Sequence, residues 1–434
     1  MPTDGIDKVE AHPHLGSKEQ AQRIAARLDQ VMCTLEGMAT LFAQTPGDFA
    51  VVVHGDRDCL GVVVQGMAYP GTERFFGTQL GEPDAVAGHG ATRLGECLRA
   101  ICQHVRPRVV FVIGTCLSAL LGEDLEPVAR QLGRETGVRV VALEGAGMGF
   151  VSQAEILDRH ACLLLDSVED SKREAPRPSG QLCAVGFDPG PEVRRLMSVI
   201  GAPLSAALHV GAPLSDWARL PSARGHLLLD EALYPQLASA LRERRGQETI
   251  EAPFPVGCGG TRGFFDSLIQ RCGLNSDEAG AIIGPEEGPA LEAVEVARRR
   301  LAGLRIGFNL GSKKNLDSRT LARAGLVDLQ VFEELGFEPV LLVQGDDSPS
   351  RMDALEGILG GYGCGAPVRV FSDTVFFGAL CRAEGCELVY ASDHLREEAE
   401  AAGIPFLPIG VLEPGWGRVR ANIGRILSAL GEAQ

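Results

Sequence analysis

Three cysteines in the first third of the chain combine a residue type and a setting that could hold metal: Cys33, Cys59 and Cys116. Each is flanked by glycine, in Cys33-Thr-Leu-Glu-Gly37, His54-Gly55-Asp56-Arg57-Asp58-Cys59 and Gly114-Thr115-Cys116. A buried thiol needs no such neighbours, whereas a bulky inorganic cluster needs backbone that approaches its sulfurs closely. The three therefore read either as iron–sulfur ligands or as small packed hydrophobes that happen to lie beside strands. Three thiolates are one fewer than a single cluster usually takes, so the ligand reading needs a further group from elsewhere or from another subunit. It predicts a cluster at an interface.

The elements that must carry these residues follow from the apolar pattern. Runs at Phe49–Val53 and Val109–Ile113 predict strands, which places Cys59 and Cys116 just past strand carboxyl ends on one rim of one sheet. Cys33 follows a predicted helix, Glu19–Val31, that opens after a Ser17-x-x-Gln20 box. Further strands are predicted at Val138–Leu143, Ala161–Leu165, Leu182–Phe187, Ala206–Val210, His226–Leu229, Leu304–Leu310, Pro339–Val343, Val368–Phe371, Glu387–Tyr390 and Pro405–Ile409. Helices are predicted at Leu125–Leu132, Glu192–Ile200, Tyr234–Arg244, Ala290–Leu301, Leu321–Leu335 and Val419–Leu430. This alternation predicts an α/β protein built of doubly wound, mainly parallel sheets. A charged, proline-rich stretch at Glu169–Gly180 and a seam at Arg298–Leu304 divide it into three Rossmann-like domains, about 1–170, 180–300 and 301–434.

Composition narrows the partners. The 434 residues carry a formal net charge of −16, which argues against nucleic acid, since phosphate binding needs a basic footprint. No run of 18 apolar residues predicts a membrane span, and the polar first 21 residues do not resemble a secretory signal. Twelve cysteines without such a signal predict a reducing, cytoplasmic setting in which thiols pack, catalyse or bind metal.

Taken in order, Cys33-x-x-x-Gly37, His54-Gly55-x-x-x-Cys59 and Gly114-Thr115-Cys116-x-x-x-Leu120-x-Gly122-Glu123-Asp124 resemble the three cluster-ligand motifs of nitrogenase component 1 subunits and their relatives. The intervals of 26 and 57 residues between the cysteines are similar too. Thr78-x-Leu80-x-Glu82-x-Asp84, Pro255-x-Gly257-x-x-Gly260-Thr261-x-x-Phe264 and Ala402-Gly403-Ile404-Pro405-Phe406 extend the likeness over nearly the whole chain. The resemblance implies a paralogous pair of subunits, or two copies of one, with a [4Fe-4S] or [8Fe-7S] cluster held between their first domains by Cys33, Cys59 and Cys116. It also implies an ATP-dependent iron–sulfur reductase protein that docks over the cluster and passes electrons inward.

Departures from the family pattern limit what carries over. Gly225–Glu231 has no cysteine, and Gly410 stands where catalytic subunits carry a cofactor-binding histidine, so a cofactor of that type on this chain is not expected. Asp56 and Asp58 replace small residues of the second motif and read either as hard oxygen ligands to iron or as solvated loop acids. His54 reads as a hydrogen-bonding group near the cluster or as packing under its loop. Cys258 reads as a packed thiol, or as a ligand facing a cavity. Three functions remain open at this point: an electron-relaying reductase subunit, a cofactor-assembly scaffold, and a metal-free metabolite-binding protein.

Overall fold

The structure is a computed structural model that describes residues 32–66, 71–143, 150–151, 153–168, 180–229, 234–312, 326–345, 349–361 and 364–431. The predicted helix Glu19–Val31 lies outside the described residues.

Three parallel sheets follow one another along the chain. The first contains β2 (Phe49–His54), β3 (Phe75–Gly77), β4 (Val109–Gly114) and β5 (Arg139–Leu143), in the order β3-β2-β4-β5. A short antiparallel pair, β1 (Met32–Cys33) with β6 (Phe150–Val151), stands apart from it. The second sheet has the order β10-β9-β7-β8, from β7 (Leu182–Val185), β8 (Leu204–Leu208), β9 (Gly225–Leu228) and β10 (Glu248–Glu251). The third has the order β13-β12-β11-β14-β15. Its strands are β11 (Arg305–Ser312), β12 (Glu338–Gln344), β13 (Val368–Phe371), β14 (Leu388–Ala391) and β15 (Phe406–Pro408).

The continuous apolar strands are continuous because both faces are covered. Along β2, Phe49, Val51 and Val53 enter one core with Phe42 and Phe111, while Ala50 and Val52 enter another with Leu94 and Leu98. Alternation in a strand sends neighbours to opposite faces, so burial on both faces erases the polar positions. The second and third sheets share a core, in which Phe265 stacks on Trp416 at 5.3 Å.

The run Ala161–Leu165 is a correction to the sequence reading. It lies inside the helix Gln153–Val168, whose Ile156, Leu157, Leu164 and Leu165 are buried. Five consecutive apolar residues fit a buried strand and a buried helical turn equally, and the flanking residues extend the helical period. The helix predicted from Ala290 starts earlier, as Ser276–Leu301. Pro285 and Pro289 interrupt it on exposed positions, where the carbonyls they leave unpaired meet water.

The helix Thr34–Gln44 leaves Cys33 and packs against Gln153–Val168. Its carboxyl end is held by Arg74, which donates to the carbonyls of Phe42, Ala43, Thr45, Gly47 and Gly71 at 2.9–3.4 Å. The guanidinium also lies 4.5 Å from the centre of the Phe49 ring. A cation on the last carbonyls of a helix offsets the negative end of its dipole. Arg74→Ala is expected to cost about 2 kcal/mol in urea unfolding, and Arg74→Lys to recover little, because an ammonium cannot reach this fan of carbonyls.

Candidate metal centre

The last paired residues of β2 and β4 are His54 and Gly114, so the two strands end side by side. The second motif leaves β2 through Gly55 and enters the helix Arg57–Gly66, with half-buried Cys59 in its first turn. The third motif leaves β4 through Thr115 and enters the helix Cys116–Leu120, with Cys116 as its exposed first residue. Both cysteines thus sit on helix starts rather than in loops, at the carboxyl ends of adjacent strands. The backbone of Cys33 pairs with Phe150 in β1–β6, and its side chain lies outside the described residues. β6 follows β5 by seven residues along the chain.

Among the described residues, no three His, Cys, Asp or Glu side chains gather closely enough to hold a metal ion. The surroundings of the cysteines nevertheless suit a bound sulfur cluster. The hydroxyls of Thr34 and Thr115 are buried without a hydrogen-bond partner, one directly after Cys33 and one directly before Cys116. An orphaned buried hydroxyl is costly unless an acceptor arrives, and cluster sulfurs are acceptors. Gly55 is pressed against the same threonine: a Cβ there would lie 1.9 Å from Thr115 Oγ1.

Asp56 and Asp58 are both exposed, and Asp56 Oδ1 accepts from the Asp58 N–H at 2.7 Å at the start of the Cys59 helix. His54 is fully buried between two partners. Its Nε2 lies 2.8 Å from Glu123 Oε2 and its Nδ1 lies 3.1 Å from Thr78 Oγ1. Burial lowers its pKa, so the neutral imidazole is favoured, with Glu123 opposing the shift. Glu123 and Thr78 belong to quoted motifs, but pairing across 69 and 24 residues leaves no mark in a sequence.

Three thiols elsewhere in the chain are disfavoured as thiolates by their surroundings. Burial pushes Cys97 up to about 11 and Cys162 up to about 12. Cys258 is also pushed up to about 12, by burial and then by the Glu334 carboxylate, which accepts from the amides of Cys258 and Gly259. Cys258 is packed. Farther on, Gly410 has φ +82°, a conformation that favours glycine, and its N–H donates to the Tyr390 hydroxyl. Tyr390 in turn donates to buried Asp328 at 2.5 Å, whose carboxyl burial pushes up to about 6.

The profile of the family described as nitrogenase component 1 type oxidoreductase matches residues 33–413. This chain belongs to that family. As a nitrogenase component 1 type chain, it is 27% identical over 307 residues to the nitrogenase iron-molybdenum cofactor biosynthesis protein NifE of Klebsiella pneumoniae, covering 65% of this chain and 66% of that one. It is 28% identical over 366 residues to the light-independent protochlorophyllide reductase subunit N of Halorhodospira halophila, covering 78% and 82%. The chain spans slightly less than two thirds of the NifE proteins it matches, 66% in Klebsiella pneumoniae and 60% in Mesorhizobium japonicum. A solved structure of nitrogenase Cp1 at pH 6.5 superimposes with a TM-score of 0.67 at 14% identity, over 92% of this chain and 89% of that one. The nitrogenase component 1 type fold is thereby shown, as an α/β protein of parallel sheets. Among the described residues, no helix is long and apolar enough to cross a membrane.

Proposed function

We propose that this chain is an iron–sulfur cluster-binding subunit of a nitrogenase-like reductase, relaying electrons from an ATP-dependent reductase protein to a substrate site. Cys33, Cys59 and Cys116 hold a [4Fe-4S] or [8Fe-7S] cluster, completed by ligands from a paralogous sister subunit or a second copy, in the cytoplasm. The observation that carries this reading is the placement of Cys59 and Cys116 on helix starts beyond the neighbouring ends of β2 and β4, beside a buried hydroxyl without a partner. When bound, the cluster would supply a one-electron relay. The chain itself supplies thiolates, a low-dielectric strand end and hydroxyl donors that favour added negative charge.

The second reading, a cofactor-assembly scaffold, is favoured by the similarity to NifE proteins. Anaerobically purified protein should be brown, with charge-transfer absorption at about 400 nm. Colourless, iron-free protein would leave only the metal-free metabolite-binding alternative. ATP-dependent turnover with the cognate reductase separates the first two: a relay subunit supports it, and a scaffold does not.

Thr115→Val tests the donor role. Removing an orphaned hydroxyl should leave unfolding free energy unchanged or raise it by about 1 kcal/mol. The midpoint potential should fall, because a hydrogen bond to sulfur stabilises the reduced cluster. An unchanged potential in an iron-loaded variant would remove Thr115 from the donor set.

A further inference from the structure

The helix that carries Cys116 has five residues, too few to fix its own orientation. Its two ends are held by one residue of another strand. At the start, the Thr115 N–H donates to the His54 carbonyl at 3.1 Å. Past the end, the Glu123 N–H donates back to the Ser118 carbonyl at 3.0 Å while the Glu123 carboxylate meets the His54 ring at 2.8 Å. Gly90 makes room for that carboxylate, since a Cβ at position 90 would fall on Glu123 Oε1.

The other ring nitrogen of His54 reaches toward the Cys59 motif. Thr78 Oγ1 lies 3.1 Å from Nδ1 and accepts from the Gly55 N–H at 3.0 Å. Gly55 also accepts from the Leu80 N–H at 2.8 Å, which fixes the turn that leads to the Cys59 helix. His54 therefore ties three points together: its carbonyl holds the start of the Cys116 helix, and its ring links the segment past that helix's end, through Glu123, to the approach to Cys59, through Thr78. It sits at the wall of a cavity of about 240 Å³, lined also by Glu123, Ala85, Leu94, Leu121 and Leu125.

We propose that His54 and Glu123 form a positioning pair that sets the separation of the Cys59 and Cys116 sulfurs, an inference that rests on the cluster reading for its purpose but not for its geometry. Two measurements on the full chain test it. In iron-free protein, a short bifunctional thiol reagent is applied and the Cys59–Cys116 cross-link is quantified by peptide mass spectrometry. In anaerobically loaded protein, the electron paramagnetic resonance line shape and midpoint potential are recorded. Glu123→Ala should lower the cross-link yield at least about tenfold, the loss expected for one hydrogen bond to a charged group, and should broaden the resonance. Glu123→Gln, whose amide oxygen still accepts from Nε2–H, should restore both.

A lower melting temperature in Glu123→Ala with wild-type cross-linking and line shape would overturn the proposal, because a structural role alone moves only stability. Should Glu123→Ala fail to fold, Thr78→Val cuts the other arm, and the same loss of cross-linking is expected; wild-type yield there overturns it. If wild-type protein takes up no iron while the cross-link still depends on Glu123, the cluster reading fails and the positioning pair stands.

Discussion

Cys116→Ala is expected to strip the iron from the protein and to abolish electron transfer, while the circular dichroism spectrum should stay that of the wild type. Cys116 is exposed, so its truncation removes no core contact and should change unfolding free energy by no more than about 0.5 kcal/mol. Loss of a thiolate leaves a cluster with an open iron site that the remaining cysteines cannot close. Cys59→Ala should give the same loss. Cys258→Ala is the control: it creates a small cavity in a core position yet keeps the iron. Iron analysis and visible absorption on the three variants decide the matter, and full iron content with full activity in Cys59→Ala or Cys116→Ala would sink the ligand assignment.

Gly55→Ala should be the most damaging single methyl group in the first sheet. The added Cβ would lie 1.9, 2.6 and 2.7 Å from Oγ1, Cγ2 and Cβ of Thr115. Thr115 cannot retreat, because it is buried and its amide is bonded to His54. Overpacking of this kind costs about 3 kcal/mol, at the upper end of the usual range. Thr115→Gly in the same molecule should restore most of the loss in urea denaturation, since it removes every atom of the clash. Full stability of Gly55→Ala alone would mean that the two motifs are not in contact.

Much of this architecture was legible in the chain, and the misses have physical causes. Phe49–Val53 and Val109–Ile113 stand out because strands covered on both faces carry no polar interruptions. The edge strand Glu248–Glu251 escaped because only Ile250 of its four residues is buried. Phe75–Gly77 escaped because three residues are too few to show a period. Ala161–Leu165 was misassigned because a short apolar run carries no information on pitch. At the site, the order and glycine contexts of the cysteines were readable, and the strand ends that position Cys59 and Cys116 followed from them. Two things were not: the helix starts under these residues, hidden at Cys116 by a length of five residues and at Cys59 by Gly61 and the β-branched run Val62–Val64, and the convergence of Glu123 and Thr78 on His54, which only folding brings about.

The open position of Cys116 also decides how an isolated chain would age. Alkylating agents and dissolved oxidants meet sulfur in proportion to its accessibility, so Cys116 should be marked first among the cysteines whose side chains are described. Cys183, Cys258 and Cys381, sealed in packed interiors, should survive the same treatment untouched until the molecule unfolds.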